Sequence, residues 1–221
     1  MMRVNRLLAL VGLLFASTTA LAQRCDVALA FAGTAVEAGI QLEAALMRDQ
    51  LVRKNLEGVG DPSAKNPLSP DEQGKRIKEQ FAVDRENLAL LDAIVCKFGW
   101  PAKSAFGEKA ALAAFLIVQH SALPVQETYL PSLKTAVVAK EADPTHLATL
   151  EDRINLRNGR PQVYGSQVCH RPDGRYAWRP LVEEDETKLD AVRASIGLRS
   201  IKQYAAGFGG QYAPPSHLGC K

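Results

Sequence analysis

The chain has 221 residues, with 27 lysines and arginines against 24 aspartates and glutamates, a formal net charge of +3. Two of the basic residues, Arg3 and Arg6, belong to a leader, so the remainder sits close to neutrality and carries no basic stripe interleaved with aromatics, which excludes a nucleic-acid partner. The roughly 200 residues that remain suit one domain with its own core.

Arg3 and Arg6 precede an apolar run from Leu7 to Phe15 and a small-residue stretch ending Ala20-Leu21-Ala22. This order is that of a secretory signal peptide over residues 1–22, cleaved after Ala22, too short to stay in a bilayer. The expectation is a single helical domain over residues 23–221, in the periplasm or secreted, free of the membrane and monomeric. Lipid attachment at Cys25 is disfavoured because the bulky, charged Arg24 precedes it. In an oxidising compartment Cys25, Cys96, Cys169 and Cys220 are expected in disulfides.

From Asp26 to about Glu57, Val27, Phe31, Val36, Ile40, Leu42, Leu46 and Val52 recur at helical spacing, predicting one long helix. Gly58 to Asn66 reads as a loop. Ser69-Pro70-Asp71-Glu72 then carries the capping-box signature, opening a second helix with Ile77, Phe81, Leu88, Leu91, Val95 and Phe98 on its apolar stripe. Asp84 interrupts that stripe, where a carboxylate must be paired or hydrogen-bonded, either for a site or for a structural network. Gly99 and Pro101 end the helix. Two helices of about 45 Å joined by a short loop should lie antiparallel, bringing Cys25 to Cys96 and leaving Cys169 for Cys220.

A third helix, from about Gly107 to Ser121, is apolar all round and so buried, ending in Gln119-His120. The free carbonyls at its C-terminus favour a cationic imidazole. Pro124 to Lys140 reads as a helix kinked or restarted at Pro131, and Asp143-Pro144 opens another that faces Leu147, Leu150 and Ile154 to the core. Asn158-Gly159 stops it. From Gln162 to Val182 the period changes to that of a β-hairpin, with its turn at Arg171-Pro172-Asp173-Gly174 and a bulge or close approach at Gly165. A helix carrying Leu189, Val192, Arg193 and Ile196 follows, capped by Gly197, then a short helical piece through Tyr204. The predicted fold is thus mainly α, a multi-helix bundle with one β-hairpin inserted near the C-terminal end.

The densest hydrogen-bonding stretch runs from Asp152 to Gln167. The reading places it opposite Gln119-His120, with His120, Asp152 and Tyr164 as catalytic candidates. Gln119, Asp84, Arg153, Gln162, Gln167 and Arg193 are the binding candidates. No metal site is expected, since His146, His170 and His217 share no ligand spacing with His120, and no cofactor fingerprint is present.

Asp84 with Asn87, Gly99-Trp100-Pro101, Gly107, Gln119-His120, Asp152-Arg153, Gly159, Pro161-Gln162, Tyr164-Gly165 with Gln167, and Arg193 with Gly197-Leu198 fall in an order that resembles a bacterial family known only as a domain of unknown function, DUF6624. The family-like region spans about residues 80–205 of this sequence. The resemblance implies a mostly helical domain in which the Gln-His pair and the Gln-x-Tyr-Gly-x-Gln segment recur, and it brings no established activity. Ser121-Ala122 stands where the family tends to have alanine and aspartate, and Ser166 replaces a usual threonine.

Two functional classes remain. In the first, the amides and their neighbours form a polar network in a binding or interaction protein of the cell envelope, a role glutamines suit because they offer donors and an acceptor without charge. In the second, a small hydrolase or transferase uses His120 as general acid or base, Asp152 or Asp84 to fix its tautomer, Tyr164 as proton donor and Arg153 or Arg193 to hold an anion. The missing nucleophile elbow and missing phosphate loop favour the first.

Overall fold

A computed structural model describes residues 20–57, 59–60, 67–170 and 176–207. The chain divides into two compact units, Met1–Ala136 and Val137–Lys221. The first is helical. The second pairs helices with a two-stranded antiparallel sheet, so the fold class is the one expected. Most of the expected signal peptide lies outside the described residues, as do nearly all of the loop from Gly58 to Asn66, the hairpin turn from Arg171 to Gly174, and His217 and Cys220.

The long first helix expected from Asp26 is broken. Residues 20–27 are helical, the chain then extends, and helix α1 covers Ala35–Lys54. Thr34 accepts from the Glu37 amide while Glu37 accepts from the Thr34 amide, a capping box that fixes the new start. Upstream, the carbonyls of Phe31 and Gly33 accept from Lys97 Nζ at 3.1 and 2.8 Å instead of from a helical turn. At 20 residues α1 is about 30 Å long, not 45. Its buried face also differs from the expected one. Ala38, Gly39, Leu42, Ala45, Asp49 and Val52 point inward, while Val36 and Ile40 are exposed.

Helix α2, Pro70–Phe98, starts on the expected Ser69–Glu72 capping box and ends at Gly99, whose φ of 77° suits a residue without a Cβ. Asn87, Leu91, Ala93, Ile94 and Val95 are its buried residues, whereas Phe81, in its N-terminal half, is exposed. Helices α3, Lys103–Phe106, and α4, Glu108–His120, follow. Helix α4 is nearly all buried, as its apolar circumference requires, and packs on α1, α2 and α3. Small residues let the helices approach closely. A Cβ on Gly39 would stand 2.9 Å from the Phe106 carbonyl oxygen. Helix α5, Leu123–Val138, runs through Pro131 and buries Gln126, Tyr129, Leu133 and Ala136.

Helices α1 and α2 run antiparallel, since Arg53 reaches Asp84 while, further back, Cys25 is bonded to Cys96. That disulfide closes a separation of 71 residues, which constrains the unfolded chain by about 4 kcal/mol in the chain-entropy treatment. It also occupies the thiol on which a lipid anchor would depend. Next to it Arg24 makes two hydrogen bonds to the Asp92 carboxylate, and Tyr129 donates its hydroxyl hydrogen to the same group.

In the second unit α6, Pro144–Arg157, begins at Asp143, which accepts from the Thr145 amide, and buries Ala148, Leu150, Asp152 and Ile154. Strands β1, Val168–His170, and β2, Tyr176–Trp178, pair Val168 with Trp178 and Cys169 with Ala177. Cys169 is disulfide-bonded, while its expected partner Cys220 lies outside the described residues. The regular hairpin is therefore shorter than Gln162 to Val182. Ahead of β1 only Gln162 bridges to Leu181, in parallel sense. Helices α7, Glu186–Ala194, and α8, Ile201–Ala206, complete a core of Trp178, Leu181, Leu189, Ile201 and Ala205. Gly165, at φ 67°, passes so close that a Cβ would meet Ile201, Leu181 and Trp178 within 3.2 to 3.4 Å. The Trp178 indole N–H donates to the Gly165 carbonyl at 3.0 Å. Among the described residues no helix is long and apolar enough to cross a membrane.

Candidate functional site

The candidate residues fall in both units, and each unit holds its own polar network. In the first, α1 contributes Asp49 and Arg53, α2 contributes Asp84 and the end of α4 contributes His120. Asp49 lies one helical turn past Ala45, on the buried face of α1, and is 2% exposed. Arg53, one further turn along, bonds Asp49 at 3.0 Å and Asp84 at 2.6 Å through Nη2. Gln80 donates to the other oxygen of Asp84 at 3.2 Å. The interruption of the α2 stripe is thus explained: Asp84 is half-buried and paired with a guanidinium.

His120 Nδ1 lies 2.9 Å from Asp49 Oδ1 and 2.8 Å from Arg53 Nε. The one nitrogen cannot serve both, because it donates when protonated and accepts when not. Arg53 Nε is also 3.1 Å from Asp49 Oδ1. With a proton on Nδ1, His120 donates to Asp49; with Nδ1 bare, it accepts from Arg53 Nε, and Asp49 keeps Arg53 Nη2 and Gln50 as donors. Burial pushes the Asp49 carboxyl up, but hydrogen bonds and charge from His120 and then Arg53 outweigh it and hold the group below the ordinary aspartate range. The His120 side chain is 19% exposed. Among the described residues its Nε2 has no hydrogen-bond partner. Gln119, immediately before it, is buried, and its carbonyl accepts from the fully buried Gln126 at 2.8 Å.

Asp49 and Arg53 were not legible as site residues. A sequence reading that faces Val36 and Ile40 inward turns Asp49 outward. The signal that finds it is Ala38, Leu42, Ala45, Asp49 and Val52, spaced by four, three, four and three residues, with a carboxylate in the fourth place.

In the second unit Asp152 is fully buried, and its carboxylate accepts the backbone N–H groups of Val163, Tyr164 and Ser166 at 2.7, 3.0 and 2.9 Å. The chain from Val163 to Ser166 is not a strand but a loop wrapped on this carboxylate, with Gly165 supplying the positive φ. Burial raises the Asp152 pKa above the ordinary range, against the opposing effect of those N–H groups. Gln162, also fully buried, donates to the carbonyls of Gln167 and Arg179 and accepts from the Gln167 amide. Arg193 donates to the carbonyls of Tyr164 and Arg199 and lies 5.1 Å over the Tyr204 ring. Tyr164 donates to Glu151 at 3.3 Å, and burial, then the Glu151 charge, push its phenol up to about 12. Arg153 is half-buried beside Asp152 on α6.

Asp84 and His120 are thus brought together around Arg53, and Asp152, Tyr164, Gln162, Gln167 and Arg193 around one loop. Among the described residues no three His, Cys, Asp or Glu side chains are arranged to hold a metal. No curated protein matches the chain, and no solved structure does. A family match covers residues 40–213, which takes in α1 from Ile40 onward and both networks. The chain belongs to the family of unknown function DUF6624.

Proposed function

We propose that this is an exported binding module of the cell envelope, whose contact point with its partner is the open edge of His120. One observation carries the reading: Asp152, Gln162 and Arg193 direct their bonds to backbone groups of their own unit and so act as a frame. Nε2 of His120, in contrast, faces no acceptor or donor among the described residues. Export is supported by the leader pattern of residues 1–22 and by a disulfide, which suits an oxidising compartment.

A second reading is favoured by the Asp49–His120 pair. A carboxylate on Nδ1 with Nε2 open is the arrangement of a general acid or base. Asp49 then takes the role the sequence assigned to Asp152 or Asp84, and His120 shuttles a proton at Nε2 in a hydrolysis or group transfer.

The test compares the mature protein with His120→Ala on ester, phosphoester and glycoside substrates and in urea unfolding. The binding reading expects no turnover and a loss of about 1 to 3 kcal/mol of stability, because buried Asp49 loses a donor. Turnover by the parent that His120→Ala abolishes, while the variant keeps a native circular dichroism spectrum, establishes the acid–base reading and overturns the first. Retention of the full chain in the cytosol of an expressing bacterium overturns export.

A further inference from the structure

We propose that α1 carries a self-pairing surface through which two copies of this chain associate as an antiparallel dimer. Four large apolar side chains of α1 face solvent: Val36 at 69%, Ile40 at 64%, Met47 at 74% and Leu51 at 59% exposure. At 3.6 residues per turn they fall within about 60° of one another, on the side of the helix away from Leu42 and Asp49. Val36 and Met47 are eleven residues apart, as are Ile40 and Leu51. That period stays in step with a nearly straight helix, so the stripe runs along α1 instead of winding off it.

The stripe reads the same in both directions. Val36 and Leu51, and likewise Ile40 and Met47, are placed symmetrically about the midpoint between Glu43 and Ala44. Antiparallel pairing across a two-fold axis at that midpoint sets Val36 against the partner's Leu51 and Ile40 against the partner's Met47. Such self-complementarity is what a two-fold interface requires. Ala44, at the centre, is small enough to let the helices approach. Charge fits the same register. On one edge of the stripe Glu37 comes level, within about 3 Å of rise, with the partner's Arg48, and symmetry makes this contact twice. On the other edge Glu43 meets the partner's Glu43, the one repulsive pair. The sequence reading puts Val36 and Ile40 in the core and expects a monomer. With both exposed on a palindromic stripe, the surface favours a second copy. One helix pair lies at the small end of interface sizes, so the association is reversible.

Sedimentation equilibrium of the mature protein, with its disulfides intact, tests this across a concentration series. The expected result is a monomer–dimer equilibrium that Ile40→Glu abolishes and that Glu43→Gln tightens by up to about twofold by removing the like-charge contact. Helical circular dichroism and the urea midpoint of Ile40→Glu should match those of the parent at a dilution where the parent is monomeric, since the side chain is exposed in the single chain. A protein that stays monomeric up to about 1 mM, or a dimer indifferent to Ile40→Glu, overturns the proposal. A dimer that Glu43→Gln leaves unchanged or weakens overturns the antiparallel register.

Discussion

Among the described residues each unit buries one aspartate almost completely, and the two are stabilised by different physics. Asp49 faces side chains, an imidazole and a guanidinium, from other parts of its helix layer. Asp152 faces three amide hydrogens of a single loop. At Asp49 burial is outweighed by the hydrogen bonds and charge of its side-chain partners, which hold the carboxyl below its usual range, while the loop's dipoles do not overcome burial and Asp152 lies above its own. A buried carboxylate met by side chains can exchange partners and take part in chemistry. One met by backbone has fixed the path of the chain and has little freedom left.

The comparison can be broken most sharply at Asp152. Asp152→Ala leaves three buried N–H groups without an acceptor, and a loss of about 3 to 5 kcal/mol is expected in urea unfolding. If the loop tolerates the change within about 1 kcal/mol, the carboxylate is not what shapes it. Asp49→Ala should cost less, about 2 kcal/mol, because Arg53 keeps Asp84 as a partner. Differential scanning calorimetry of both variants beside the parent gives the ranking.

The smallest effect is the pH response, and it has opposite signs in the two units. A lowered carboxyl pKa contributes stability that is present above the ordinary aspartate value, about 4, and is lost as pH falls through that value and below. Asp49 therefore makes the protein acid-sensitive. A raised pKa contributes stability present below the ordinary value and lost as pH rises through the folded one, so Asp152 works the other way. Urea midpoints between pH 3 and 7 should show Asp49→Asn reducing the acid loss and Asp152→Asn deepening it. Parallel shifts in the two variants would remove the distinction.

The same contrast explains what could be read in advance. Capping signals at Ser69 and Asp143 and the glycine stop at Gly99 were legible because each acts within one turn of its own chain. So was the Cys25–Cys96 pairing, which needs only two helices and a direction. The face of α1 was not. Its inward residues are mostly alanine, so larger apolar residues on the outer side dominated the pattern, and the Thr34–Glu37 capping box went unweighed. Asp49 was lost with that face. Asp152 was recognised, but as a catalytic candidate, because its partners are backbone groups that no side-chain pattern announces. Gly165 was flagged correctly as a place where another group approaches, which is how Ile201, Leu181 and Trp178 meet it.

The crosslink between Cys25 and Cys96 has a practical side. It fastens Cys25, ahead of α1, to the far end of α2, so protein produced in a reducing cytosol would lack a bond worth about 4 kcal/mol. Recombinant material made that way should be more easily unfolded and digested than material matured in an oxidising compartment, so the choice of expression host determines which form is being measured.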